Sequence, residues 1–115
     1  VSYDVSLEKD GKIVEVDQHF EGGIICLQGS DTAELNITYN YYYFFKKSLS
    51  RNKGIRWLYG KKAKDTIKRL KKAVKELGTR QDSDYWKLTP GNAGYALSIL
   101  LKWAKQHPEA IWKGD

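Results

Sequence analysis

With 115 residues the chain fits one domain and is too short for two independent cores. Hydrophobic residues at 41% and charged residues at 30% exclude disorder as the default reading, and a single cysteine, Cys26, excludes an intrachain disulfide and metal sites built from cysteine pairs. The net charge of +6 permits attraction to nucleic acid or another polyanion, but it bears on encounter and solubility, not on fold.

In chain order the organisation is strands first, helices after. Tyr3, Val5 and Leu7 alternate with Ser2, Asp4 and Ser6, the period-2 pattern of a half-buried strand near 2–8. Asp10-Gly11 tolerates the positive φ of a tight hairpin turn, and a return strand follows near 12–17. After Gly22-Gly23 the apolar run Ile24-Ile25-Cys26-Leu27 suits a central strand near 23–29, and Leu35, Ile37 and Tyr39 mark a fourth near 34–39. Short connections predict a four-stranded, mostly antiparallel meander. The opening residues Val1 to Val5 read as strand and lack a signal peptide's basic start and apolar run. No apolar stretch approaches the ~20 residues of a membrane span, so cytoplasm is the expected location. Asn36-Ile37-Thr38 matches the glycosylation pattern, which on such a chain reads as chance.

Beyond Asn40 the period changes. With Asn40 as N-cap, Tyr42, Phe45 and Leu49 fall at helical spacing, predicting a helix near 41–49 in preference to a continued strand through the aromatic run 41–45. Ile67, Leu70, Val74 and Leu77 mark one face of a helix near 63–77 that stops at Gly78. Thr89-Pro90 starts a third helix near 89–107: the hydroxyl caps, and proline's missing N–H costs nothing in the first turn. From Ala93 to Ala104 it is apolar on most sides, so it belongs at the centre of a helical layer. The expected product is a single α+β domain, 1–115, with helices on one face of the sheet. Tyr3, Val5, Leu7, Leu35, Ile37 and Tyr39 would be buried; Ser2, Asp4, Ser6, Glu15, Asn36 and Thr38 would face away.

Five blocks carry a resemblance: Ser2-Tyr3-Asp4-Val5, Leu35 to Asn40, Gly54-Ile55-Arg56-Trp57-Leu58-Tyr59-Gly60, Asp84 to Ala93, and Ala110 to Asp115. Together they resemble a family of small bacteriophage and prophage proteins over nearly the whole chain. The resemblance implies a phage setting, with the host cytoplasm as location, and no particular chemistry. The chain departs from that pattern in its dense aromatics at 41–45 and its lysine-rich helix after Gly60.

Three groups of residues are candidate sites. Lys61, Lys62, Lys64, Lys68, Arg69, Lys71, Lys72 and Lys75, relieved only by Asp65, could grip phosphates without reading sequence, or could be a solvated helix face. Asn36, Thr38 and Asn40 with Tyr85, Trp86, Thr89 and Asn92 have the composition of a pocket for a polar small molecule or peptide, and the start of the last helix could receive an anion. Each also has a structural alternative, as cap, core residue or wet strand face. Arg56, Trp57 and Tyr59 have the composition of a protein-interface anchor, or Trp57 and Leu58 plug the core.

Nothing points to catalysis, a metal or a cofactor. His19 and His107 stand alone, Cys26 sits in an apolar run, and Asp4, Glu15, Asp82 and Asp84 lack metal-ligand or acid–base spacing. The sequence therefore predicts a non-catalytic phage accessory protein that binds a host protein or a small polar ligand, with interference with host defence as one such role. Nonspecific nucleic-acid binding through residues 61–77 is the alternative, and an unrecognised enzyme a weaker one. The apolar last helix and the aromatic run leave room for a homodimer.

Overall fold

The computed structural model describes residues 2–19 and 30–115, with the side chains of residues 18, 19 and 30 excepted. Its strands are β1 (Ser2–Lys9), β2 (Lys12–Ile13), β3 (Glu15–His19), β4 (Ser30–Thr32), β5 (Glu34–Thr38) and β6 (Ile111–Gly114); its helices are α1 (Tyr42–Ser48), α2 (Ile67–Leu77) and α3 (Pro90–Gln106). The α+β class and the antiparallel four-stranded sheet are as expected, but the strand order is not a meander. β1 is the centre. One edge pairs with β5 (Ser2 opposite Thr38) and then β2 (Glu8 opposite Ile13); the other pairs with β6 (Glu8 opposite Ile111). The expected strand near 23–29, with Cys26, lies outside the described residues. The fourth strand of the sheet is the C-terminal β6, which the period-2 test missed because four residues are too few to show alternation.

The Asp10-Gly11 turn forms as predicted, with φ of 54° and 79°, values that suit the twist of a two-residue hairpin. The return strand then splits. Val14 donates its N–H to Leu7 O and accepts from the Ala33 N–H, after which β3 leaves β1 and pairs with β4 as a separate ribbon. That ribbon is tied to the end of α3: His107 Nε2 donates to Glu15 O at 2.8 Å, and Lys102 meets Asp17 at 3.7 Å.

Tyr3, Val5, Leu7, Leu35, Ile37 and Trp112 point from the sheet into one core with Phe45, Leu70, Leu97 and Leu100 from the helical side. α3 packs against the sheet with nine of its 17 residues buried, and Thr89 Oγ accepts the Asn92 N–H at 3.1 Å as its cap. Two glycines let it lie close to its neighbour: a Cβ at Gly94 would overlap the Gly78 carbonyl, and one at Gly91 the Arg80 carbonyl. Gly78 has φ 76°, the left-handed conformation that ends α2. β6 is anchored by Trp112, fully buried, whose indole N–H donates to the buried Thr66 hydroxyl at 2.9 Å.

Three expectations about burial, and one about a helix cap, are corrected. Thr38, assigned to the wet face, is buried: the strand ends there, and its hydroxyl turns in to accept the Asn40 N–H of a short 3-10 turn over Tyr39–Tyr41. Asn40 is therefore not a helix cap, and Tyr39 is only partly buried. In α1 the buried stripe is Tyr41, Phe45 and Leu49, while Tyr42 is 54% exposed. Both stripes satisfy helical spacing. Tyr41 wins because its hydroxyl finds an acceptor inside, the Tyr85 carbonyl.

Candidate binding surfaces

The polar residues expected to form a pocket do come together, and they bind one another. Tyr85 lies against the outer edge of β5, its hydroxyl accepting the Thr38 N–H (3.3 Å) and donating to Asn36 O (3.2 Å), much as a further strand would. Asn40 Nδ2 donates to Trp86 O at 2.8 Å. Asn92, 4% exposed, accepts the Asp82 N–H through Oδ1 and donates through Nδ2 to Asp84 O and Lys87 O, at 2.8, 3.1 and 2.9 Å. One side chain thus staples the whole 82–87 loop to the first turn of α3. Between β5, Tyr85 and α3 remains a recess with about 20 Å³ of free volume, roughly one water molecule. Small-molecule sites run to hundreds of Å³. Asn36 Nδ2 turns to the opposite side, donating to Ser2 Oγ (2.6 Å) and Asp4 Oδ1 (2.7 Å). Trp86 projects, 49% exposed, edge-on to Tyr85.

Of the Arg56, Trp57, Tyr59 group, two members meet and one departs. Arg56 is exposed and packs its guanidinium against the rings of Tyr3 (5.1 Å) and Tyr39 (5.4 Å). Its Nη2 donates to the Tyr39 hydroxyl and its Nε to Asp115 O at 3.2 Å. Tyr59 donates to Asp115 Oδ1 at 3.4 Å, and Asp115 Oδ1 in turn accepts the Asp4 N–H. The Tyr39 hydrogen bond raises the Arg56 pKa further, and burial raises those of Tyr59 and Tyr3, so the phenols stay neutral and the guanidinium charged. Four blocks far apart in sequence, those holding Asp4, Tyr39, Arg56 and Asp115, converge here. Sequence reading missed Tyr3, Tyr39 and Asp115, because a tyrosine at a core-facing strand position carries no mark that its outer rim meets an arginine.

Trp57 turns toward α2, with Lys61 Nζ 4.5 Å and the Arg69 guanidinium 4.2 Å from its ring. Lys61 also donates to Trp57 O at 2.7 Å, and Arg69 Nη1 to Leu49 O at 3.2 Å. Lys62 and Lys64 pair with Glu109 at 3.4 and 3.2 Å, and the Lys64 hydrogen bond leads in pulling the Glu109 pKa down. Lys68, Lys71, Lys72 and Lys75 are exposed, and among the described residues none of the four has an ion pair. Their spacing puts them side by side on the face of α2 opposite the buried Leu70 and Ala73.

The charge is sharply divided along the chain. Residues 46–80 hold fourteen of the 20 cations and two of the 14 anions, net +12; the remaining residues hold six cations and twelve anions, net −6. The first group forms the end of α1, the turns at 54–65 and α2; the second includes Asp4, Glu8 and Glu34 on the sheet. The cationic layer is continuous with a shallow depression of about 590 Å³ over the outer face of α1, lined by Tyr42, Tyr43, Lys46, Lys47 and Arg51. Tyr42 and Tyr43 are about half exposed. Sequence reading placed Tyr42 inside and gave no role to Lys46, Lys47 or Arg51.

Among the described residues no group of three or more His, Cys, Asp or Glu could hold a metal ion, and no helix is long and apolar enough to cross a membrane. Fold and surface together define an α+β protein whose cations are concentrated on the end of α1, the turns that follow it and α2. Compared with family models, curated proteins and solved structures, the chain matches none.

Proposed function

We propose that this is a non-catalytic binding protein whose principal ligand is a polyanion, nucleic acid, held by the helical side. The supporting observation is the division of charge: net +12 over residues 46–80 against −6 elsewhere, with Lys68, Lys71, Lys72 and Lys75 exposed on one helix face and in no ion pair among the described residues. Cations so concentrated steer the chain to phosphates through one region, which orients the encounter without base recognition. Expected behaviour is binding that weakens steeply with salt. If the four lysines each neutralise one phosphate of a single strand, log affinity falls against log salt with a slope of about −3. Fluorescence anisotropy with a labelled oligonucleotide at graded salt tests this. Reversing all four lysines to glutamate should abolish binding; unchanged binding after that reversal removes the proposal.

A second reading, a host-protein partner, is favoured by the Arg56 cluster. Two N–H groups of Arg56 are engaged and its ring contacts fix it, so its remaining donors are presented with little entropy left to lose. A pull-down from bacterial lysate after nuclease treatment, weakened by Arg56→Ala, would support it; retention by that variant would not. A small polar ligand is less well supported than either, because the recess among Asn36, Tyr85 and Asn92 is about one water in size. A phage or prophage setting, host cytoplasm and interference with host defence remain part of this proposal, resting on the five sequence blocks alone.

A further inference from the structure

We infer that the outer face of α1 is a base-stacking platform, so that the polyanion is single-stranded nucleic acid, a conclusion that rests on the polyanion reading of the same side of the molecule. Four large hydrophobic side chains are about half exposed: Tyr42, Tyr43, Trp86 and Leu88. Three are aromatic, and they are linked. Asn40 precedes Tyr43 by one turn and binds the Trp86 carbonyl, which sets the Trp86 loop against the start of α1. Tyr42 and Tyr43 are each followed four residues later by a lysine; Lys46 Nζ lies 5.9 Å from the Tyr42 ring, and Arg51 closes the depression.

An aromatic face left half wet has no role in the core, whose stripe on this helix is Tyr41, Phe45 and Leu49. Rings flanked by cations at one-turn spacing suit a strand whose bases are unpaired: each base stacks on a ring while its phosphate meets the neighbouring lysine. A duplex offers its phosphates to the lysines of α2 but keeps its bases from the rings. Stacking is tolerant of base identity and of sugar, so the platform accepts single-stranded DNA and RNA.

The test uses the full chain with labelled oligo(dT), oligo(U) and a duplex of equal length at one moderate salt concentration. Tighter binding of either single strand than of the duplex is expected. Tyr42→Ala with Tyr43→Ala should weaken single-strand binding roughly 5- to 150-fold for each stacked base lost, leave duplex binding unchanged, and leave the salt slope unchanged. Tyr43→Trp should retain the affinity, and both substituted positions are exposed, so thermal melting should show an intact fold. Equal affinity for single strand and duplex, or no effect of the tyrosine variants, overturns the platform while lysine-dependent binding still stands. No binding of any oligonucleotide overturns both.

Discussion

The loop at 82–89, with the first turn of α3 that it joins, and helix α2 treat their polar side chains in opposite ways. In the loop nearly every polar group is spent inside the protein: Asn92 holds three backbone groups, Thr89 caps α3, and the Asp82 and Asp84 carboxylates accept the N–H groups of Asp84 and Trp86. On α2 the lysines along the outer face are exposed and, among the described residues, make no ion pair. The two regions carry equally suggestive residue types. What separates them is whether a side chain's hydrogen-bonding capacity is already filled, and only the folded arrangement shows that. A polar residue filled from within contributes stability; one left over is available for a partner.

That contrast can be broken or sharpened by substitution. The largest expected effect is on binding, with no matching loss of stability: Lys68→Glu, Lys71→Glu, Lys72→Glu and Lys75→Glu together should remove nucleic-acid affinity at moderate salt while shifting the melting temperature little, since no described ion pair is lost. Next come changes that should cost stability. Gly94→Val drives a side chain into the Gly78 backbone, a clash flexible side chains cannot relieve, and should cost about 4 kcal/mol or more in urea unfolding. Asn92→Ala leaves the Asp82 N–H and the Asp84 and Lys87 carbonyls without their partner and should cost about 2–4 kcal/mol, with proteolytic cleavage appearing first in residues 82–88.

A smaller effect is expected with alkali. Burial holds the Tyr41 and Tyr59 phenols protonated in the native state above the ordinary tyrosine value of 10.0. The unfolded chain releases those protons near pH 10, so above that pH it binds fewer than the native state and stability falls as pH rises. Chemical denaturation between pH 8 and 11 should show a falling midpoint; Tyr41→Phe with Tyr59→Phe should flatten it. The smallest effect is at the rim: Glu109→Ala removes two half-exposed, solvent-screened ion pairs and should leave the melting temperature almost unchanged.

Most of the architecture was legible from period and punctuation. Alternation marked β1 and β5, Asp10-Gly11 marked the hairpin, and Thr89-Pro90 and Gly78 marked helix ends, because each rests on local backbone chemistry. What was not legible depends on contacts across the chain. Tyr41 and Tyr42 are equivalent to a helical repeat, and only the Tyr85 carbonyl decides between them. β6 is too short to alternate and exists because Trp112 fills the core and reaches Thr66. Among candidate sites, the lysines were visible from composition, whereas the Arg56 cluster needed Tyr39 and Asp115, 17 and 59 residues away, to become a unit. The pocket expected from Asn36, Tyr85 and Asn92 failed as a cavity because those residues satisfy the loop and strand edge that bring them together.

The central claim is that the cationic helical side, and not the polar sheet side, meets the ligand. Amide chemical-shift mapping during titration with unlabelled oligo(dT) tests it most directly. Perturbations confined to residues 42–51, 61–77 and the loop around Trp86 are predicted, with the amides of Asp4, Asn36, Arg56 and Asp115 unmoved. Shifts centred on those four residues, or none anywhere at low salt, would contradict it.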